Sequence, residues 1–365
     1  MFRKIFVPLD GSALAENALP VAVKLASMLD ARLLLVRAVK EHPQPHLYYT
    51  TPDEQEPQFF TPYWYVEKTR DDVSEYRMKE IKNIATQIQE ADVTPLQEEE
   101  ANAYLTKIWA SLTHPEAAVP LQPDRVDTLV VEEPATRLAV VAKTEMADLI
   151  VMSTHGRSGL SLLLMGSVAS ELVQHTSIPV ILVRPAEHNE QAETKTAVRA
   201  TSIEAFRAEK GQPLLVTLDG TARAAEAIEP ATELAEQLGA PLHLLRVVSA
   251  FVPAPLPDMG PVYLSEQVDI DRETEIIKKE AGLYLADFQH QLLEKNVDCR
   301  KAIRVGHSVE EIVNYAHQVE AMLIVMGTHA RNRVGQILLG SVAEEVVRHS
   351  NLPVMLVHFG SEAHH

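Results

Sequence analysis

The chain is short of several things, and each shortage excludes something. It carries one cysteine, Cys299, in 365 residues. An intramolecular disulfide is therefore excluded, and a reducing compartment is expected. No stretch approaches the ~18 apolar residues that a membrane span needs. The opening run MFRKIFVPLDGS starts like a signal peptide, but Asp10 cuts it short. It reads instead as a first strand. A soluble, cytoplasmic protein with no membrane contact is expected. Positive charge is scarce too: 33 Lys and Arg face 51 Asp and Glu, a formal charge of −18. Holding nucleic acid by phosphate neutralisation needs a basic surface, so no nucleic-acid partner is expected. The chain also lacks a P-loop, a G-x-S-x-G elbow, an H-E-x-x-H metal motif and paired catalytic carboxylates at helical spacing. Nothing in it supplies a general base with a positioned partner, so fast ATP hydrolysis is not supported.

What is present is repetition. VPLDGS at 7–12 returns as VTLDGT at 216–221. The 33 residues from Val151 to Val183 return, ungapped, from Val325 to Val357 with 17 identities. Duplication explains this, and a repeat so long makes two domains rather than a solenoid. The expected division is domain 1 at 1–185, a polar linker at 186–210 and domain 2 at 211–360. Asp10 and Asp219 lie 209 apart, whereas Gly166 and Gly340 lie 174 apart. The first half is thus 35 residues longer, and an extra helical stretch at 92–124 is the expected insertion.

Within each half, short apolar runs alternate with amphipathic helical patterns. In the first half KIFVPL, ARLLLVRAV, VDTLVV, ADLIVM and PVILV read as strands. SALAENALPVAVKLASML, 70–90, PATRLAVVAKTEM and the segment from Ser167 to about 175 read as helices. Ser12 is placed to cap the first helix, and Ser308 with Glu311 forms an S-x-x-E capping box. Pro20 and Pro230 fall inside the first helices and predict a kink in each. The fold class is α/β: two tandem doubly wound units, each a five-stranded parallel sheet of order 3-2-1-4-5 with helices on both faces.

Such sheets bind ligands beyond the carboxyl ends of their strands, where the strand order reverses. Here that crevice lies between strand 1, ending Pro8-Leu9-Asp10, and strand 4, ending Met152-Ser153-Thr154-His155-Gly156. The corresponding residues of the second half include Asp219, Met326, Gly327 and His329. These two segments are also the best retained between halves, although core packing gives little reason to keep polar loop residues alike. After strand 4 comes a frame of small residues: Ser153, Gly156, Gly166-Ser167 in half one, and Gly327, Ala330, Gly340-Ser341 in half two. Small residues let backbone N–H groups approach an anion. The helix that follows, opening Ser167-Val168 or Ser341-Val342, offers free amides and a positive dipole end. Arg157 and Arg331 lie in the intervening loops and add cationic contacts. Asp10 and Asp219 admit two readings: caps of the following turn, or acceptors for a ribose hydroxyl or an adenine amine.

VPLDGS, ADLIVMSTHGRSG, GSVASELVQHTSIPVILV and their second-half partners resemble the universal stress protein family, over both halves. The resemblance implies the five-stranded fold and ATP as the ligand, with Mg as a possible companion. It implies a strand 1 Asp at the adenosine end and backbone at Ala38 and Val247 touching adenine. It implies phosphates held by the glycine loop and the final Gly-Ser. Domain pairing or homodimerisation through the last strand, PVILV and PVMLV, is implied as well. Each half departs once from the family's G-x2-G-x9-G-[ST] signature, at Ser153 and at Ala330. Because Ala330 replaces the inner glycine, the first half is expected to be the better ATP site. The function expected is a nucleotide-responsive stress protein. A nucleotide-free dimerising scaffold and a slow ATPase or phosphotransferase are the alternatives.

Three weaker signals remain. Seven of the 19 aromatic residues lie between Tyr48 and Tyr65, reading either as a lid or as a loop packed on its own domain. His175 and His349 end helices, where a cation suits the dipole. Cys299 falls in a strand and reads as a buried apolar residue.

Overall fold

The computed structural model describes residues 1–39, 95–132, 135–154, 166–185, 209, 211–249, 270–328 and 340–358. The aromatic segment 48–65, the expected helix 70–90 and most of the linker lie outside them.

In the first half, chain order is β1 (Lys4–Leu9), α1 (Leu19–Leu29), β2 (Arg32–Val39), α2 (Pro95–Thr113), β3 (Val126–Glu132), α3 (Ala135–Thr144), β4 (Leu149–Ser153), α4 (Ser167–His175) and β5 (Val180–Val183). The second half repeats it: β6 (Leu214–Thr217), α5 (Ala222–Ala225), α6 (Ile228–Leu238), β7 (Leu242–Val248), α7 (Ile270–Glu294), β8 (Cys299–Val305), α8 (Ser308–Gln318), β9 (Leu323–Gly327), α9 (Ser341–His349) and β10 (Val354–Val357).

All ten strands form one sheet of order β3-β2-β1-β4-β5-β10-β9-β6-β7-β8. Each half has the expected order 3-2-1-4-5, parallel throughout. The two halves meet where β5 and β10 pair antiparallel, Met355 opposite Ile181. The central strands are buried on both faces, as a sheet covered on both sides demands. Two apolar layers result. One contains Ile5, Leu9, Leu35 and Ile108 with their second-half counterparts; the other contains Phe6, Leu138, Ile150 and Leu172. Each fully buried side chain of this size contributes about 2 kcal/mol.

The first helices differ from expectation. Residues Ala15–Ala18 form a 3-10 turn, and the regular α-helix starts only at Leu19, with Pro20 in its first turn. Proline has no N–H to give to the carbonyl four residues back. The break therefore falls before the proline, where Leu19 N donates to Glu16 O, and no kink is needed in the helix interior. The second half breaks likewise, between α5 and α6, leaving Pro230 in the first turn of α6. The expected capping box does not form either. His307 is the residue that precedes the first turn of α8, and Ser308 is already helical.

The 92–124 segment is not an added helix. Its α2 lies between β2 and β3 as α7 lies between β7 and β8, and the two share the pattern A-x-x-Y-L at Ala101–Leu105 and Ala281–Leu285. Trp109 Nε1 donates to Val126 O, and its counterpart Gln289 Nε2 donates to Cys299 O. Both bonds tie the helix to the first residue of the next strand. Most of the surplus falls earlier: Val39 and Ala101 are 62 apart, against 33 for Val248 and Ala281, and seven further residues lie between α2 and β3, where Leu105 and Val126 are 21 apart against 14 for Leu285 and Cys299.

Candidate functional site

Strand register brings the two candidate segments together. β1 pairs β4 with Phe6 opposite Ile150, a register that runs on to set Leu9 level with Ser153. In the second half Thr217 lies opposite Met326, which sets Leu218 level with Gly327. At each mouth the chain leaves strand 1 through an Asp-Gly turn. Asp10 Oδ1 accepts from Ser12 N at 2.8 Å. Asp219 Oδ1 accepts from Thr221 N at 2.8 Å and from Thr221 Oγ1 at 2.6 Å. The turn-capping role of these carboxylates is thus observed. Asp10 is half-buried and Asp219 exposed, so each still stands at the crevice. Ser12 Oγ also accepts from Ala15 N at 3.1 Å, as a cap should.

Several expected site residues offer only backbone. The side chains of Leu9, Ala38, Met152 and Met326 are buried in the apolar layers, and Pro8 is buried in β1. Val247 is half-buried. Beyond β4, Thr154 N donates to Val183 O at 2.9 Å, and Gly166 N donates to Thr154 O at 2.7 Å. The second bond ties the start of α4 to the end of β4. Regular helix bonding resumes at Ser170 N to Gly166 O, so the amides of Ser167 and Val168 have no carbonyl within the helix. Gly166 has φ −57° and ψ 150°, an ordinary extended conformation. Its glycine identity is not required by backbone angle. In the second half Thr328 N donates to Val357 O at 2.9 Å, matching Thr154, and Glu344 N donates to Gly340 O. Among the described residues no bond joins Gly340 N to Thr328 O. Ser341 and Val342 open α9 as Ser167 and Val168 open α4. His155, Gly156, Arg157 and His329, with Ala330 and Arg331, lie outside the described residues.

Gly327 owes its identity to packing. A Cβ there would lie 2.9 Å from Arg223 O and 3.1 Å from Ala224 Cα, in the backbone of α5. The first half carries Ser153 at this place, buried at 5% exposure. The first of the two departures from the signature therefore reflects how closely the opening helical turn sits on strand 4.

One constellation at the mouth was not anticipated. Arg37, on β2, lies with its guanidinium between Gly11 and the ring of Tyr104. A Cβ on Gly11 would meet Arg37 Nη2 at 2.8 Å, and the cation sits 5.3 Å from the ring centroid. Arg246, on β7, does the same between Gly220 and Tyr284, at 2.6 Å and 5.1 Å. Gly11 (φ 82°) and Gly220 (φ 90°) are in the left-handed region as well, so both sterics and backbone exclude a side chain. In the first half Arg37 Nη1 donates to Ala38 O at 2.8 Å, and Tyr104 Oη donates to Glu16 Oε1 at 3.2 Å. Burial first, then the Glu16 charge, push the Tyr104 phenol well above its ordinary range. The Tyr284 phenol is also raised, by burial and then by Asp219, with Arg246 opposing. The readable signal was the A-x-x-Y-L pattern in α2 and α7, hidden while 92–124 is taken as an insertion.

The remaining titratable groups behave structurally. His175 Nδ1 donates to Glu171 O and His349 Nδ1 to Glu345 O, each within the last helical turn. Cys299 is buried, which pushes its thiol up to about 11. Among the described residues no group of three His, Cys, Asp or Glu side chains converges as a metal site, and no helix is long and apolar enough to cross a membrane.

Doubly wound units with a crevice of this shape occur in many nucleotide-binding proteins. The sequence profile of the Universal stress protein family matches residues 1–184 and 211–358, and the chain belongs to that family. Universal stress protein YxiE of Bacillus subtilis is 31% identical over 144 residues, covering 40% of this chain and 97% of that protein. A universal stress protein of Mycolicibacterium smegmatis is 25% identical over 232 residues, covering 64% of this chain and 68% of the relative. Among solved structures, PA1789 of Pseudomonas aeruginosa, a protein of unknown function, covers 98% of this chain and 92% of its own at 15% identity and a TM-score of 0.51. That likeness is one of fold.

Proposed function

We propose that this protein binds ATP in the crevice of its first half and acts as a nucleotide-responsive stress protein. One observation carries the reading: the Gly166 N to Thr154 O bond, which draws the α4 N-terminus against the end of β4. The amides of Ser167 and Val168 then face the crevice end of the sheet, where a helix N-terminus favours phosphate. By their sequence positions directly after β4, His155, Gly156 and Arg157 are the residues we assign to the phosphate end. Asp10, with the backbone of Pro8, Leu9 and Ala38, forms the nucleoside end, and Met152 and Ser153 form the floor between them. In the second half we assign the same roles to Asp219, Val247, Met326, Gly327, Gly340, Ser341 and Val342, and, by its sequence position alone, to His329. Among the described residues no equivalent bond joins Gly340 to Thr328, and the sequence carries Ala330 there, which makes the second half the weaker ATP site in this reading. Magnesium enters with the triphosphate, since phosphate oxygens and water supply most of its ligands.

Occupancy becomes a signal if the nucleotide favours one arrangement of the loops over another. The sheet is continuous through β5 and β10, so such a change in one half bears directly on the other. That same pairing, made within one chain, supports the second reading, a nucleotide-free cytoplasmic scaffold whose two halves assemble without a ligand; homodimers would need a further surface. Mass spectrometry of small molecules released on denaturing the purified chain separates the two. ATP, at one equivalent or less per chain, supports the first. Its absence, together with no ATP-dependent rise in melting temperature, supports the second. Steady phosphate release abolished by Asp10→Ala would instead make the protein a slow ATPase.

A further inference from the structure

The N–H and C=O groups of a strand face its two neighbours in alternation, residue by residue. Arg32 N donates to Arg3 O, so the even-numbered residues of β2 are the ones that face β1. Ala38 is one of them, and it is buried. β1 ends at Leu9, level with Arg37, and the chain turns away at Asp10-Gly11. The Ala38 carbonyl therefore faces the gap beyond the end of β1, where the ladder supplies no donor. A buried carbonyl needs one. Arg37 provides it. Its Nη1 donates to Ala38 O at 2.8 Å and lies 3.5 Å from Leu9 O. The guanidinium is packed between Gly11 and the Tyr104 ring, and Tyr104 is held in turn by Glu16. One side chain thus joins Leu9, the Asp10-Gly11 turn and Ala38.

We infer that Arg37 is a positioning residue of the first half: it stands in for the missing ladder rung and so fixes the Asp10 turn and the Ala38 backbone for a nucleoside. The inference rests on the nucleotide reading above, which assigns the nucleoside end to these same segments. Arg37 is 9% exposed, so it acts on a ligand only through the backbone it bonds. Backbone fixed in advance has less freedom to lose when the ligand arrives. A planar guanidinium suits the task, because its donors are held in a rigid fork and its faces can be packed. The second half keeps the stack, with Arg246 over Tyr284. Among the described residues, however, Arg246 donates no hydrogen bond to the Val247 carbonyl, and Ala225 replaces Glu16. The first half therefore has a second reason to be the tighter ATP site, located at the nucleoside end and independent of Ala330.

The test is a calorimetric titration of the full chain, following its tighter ATP site, with ATP and inorganic tripolyphosphate as probes. Arg37→Met keeps the apolar stem and removes the donors. It should weaken ATP about tenfold, the worth of one buried hydrogen bond, and leave tripolyphosphate affinity unchanged. Arg37→Lys restores one donor and should recover most of the ATP affinity. Trp109→Phe is the structural control: it removes the bond from α2 to Val126 O and should leave both affinities alone. Should Arg37→Met fail to fold, Tyr104→Leu carries the same test. It takes away one wall of the guanidinium and should weaken ATP about threefold without touching tripolyphosphate. ATP and tripolyphosphate weakened together, or an ATP affinity that these variants leave alone, overturns this inference while nucleotide binding stands. No ATP binding by the unaltered chain overturns the nucleotide reading and this inference with it.

Discussion

Arg37 and Arg246 occupy the same place in two copies of one fold, and they have become different things. In the first half the arginine is a strut: buried, stacked on a tyrosine that Glu16 holds, and bonded to the strand it stands on. In the second half the stack persists, but among the described residues Arg246 makes no hydrogen bond, and Tyr284 Oη lies 3.5 Å from the Thr221 carbonyl. The strand ends diverge in the opposite sense. Gly327 lies tight against the α5 backbone, whereas Ser153 tolerates a side chain. Duplication fixed the sheet; the halves then tightened at different points around the same mouth.

The largest effect should come from the glycines under the two arginines. Gly11→Ala and Gly220→Ala both place a side chain at positive φ, which costs about 1–2 kcal/mol. Gly11→Ala must also displace a bonded, buried guanidinium, for a total of about 3 kcal/mol. Arg246 donates no hydrogen bond among the described residues, so Gly220→Ala should cost about 1–2 kcal/mol. Urea denaturation of the two variants checks this, and equal losses would mean that the arginines are equally anchored. Next, Gly327→Ser should destabilise by about 2 kcal/mol, because the α5 backbone must retreat. The reciprocal Ser153→Gly should cost less than about 1 kcal/mol, chiefly through chain entropy. A smaller effect is expected from Glu16→Ala, which makes the first half resemble the second. Losing the Tyr104 bond should cost about 1–2 kcal/mol, and the Tyr104 phenol should titrate at lower pH by ultraviolet difference spectroscopy.

The smallest effect concerns pH and falls on the second half alone. His243 is buried in β7, where Leu34 stands in the first half. Its Nδ1 lies 3.3 Å from Tyr315 Oη on α8, and Arg304 stacks on that tyrosine. Burial first, then Arg300, hold the imidazole below its ordinary 6.5, with Asp298 opposing. A depressed pKa in the folded state means that the unfolded chain takes up the proton first. Stability from this group is therefore complete above pH 6.5 and declines as pH falls through the lower folded value. His243→Leu should flatten melting temperature against pH in that window; an unchanged slope would assign the acid sensitivity to other groups.

Much of this was legible beforehand because the informative residues are close in sequence. Apolar runs such as ADLIVM located strands within a residue or two, and the paired offsets of 209 and 174 located the repeat. Alternating strands and helices define the doubly wound class, and the order 3-2-1-4-5 is the one the family resemblance implies. What was missed depends on distant partners. Arg37 and Tyr104 are 67 residues apart, and nothing local announces that a glycine, an arginine and a tyrosine will stack. Pro20 implies a kink only if its helix begins near Ser12; hydrogen bonding moves the helix start to Leu19. By sequence Gly327 belongs to a ligand loop, and only the approach of Arg223 O reveals its packing role.

The most direct measurement is calorimetric titration of the full chain with ATP, repeated on Gly166→Trp and on Gly340→Trp. The account predicts that Gly166→Trp removes the tighter ATP site while Gly340→Trp leaves it intact. Loss of that site with Gly340→Trp alone, or two equal sites in the unaltered chain, would contradict it.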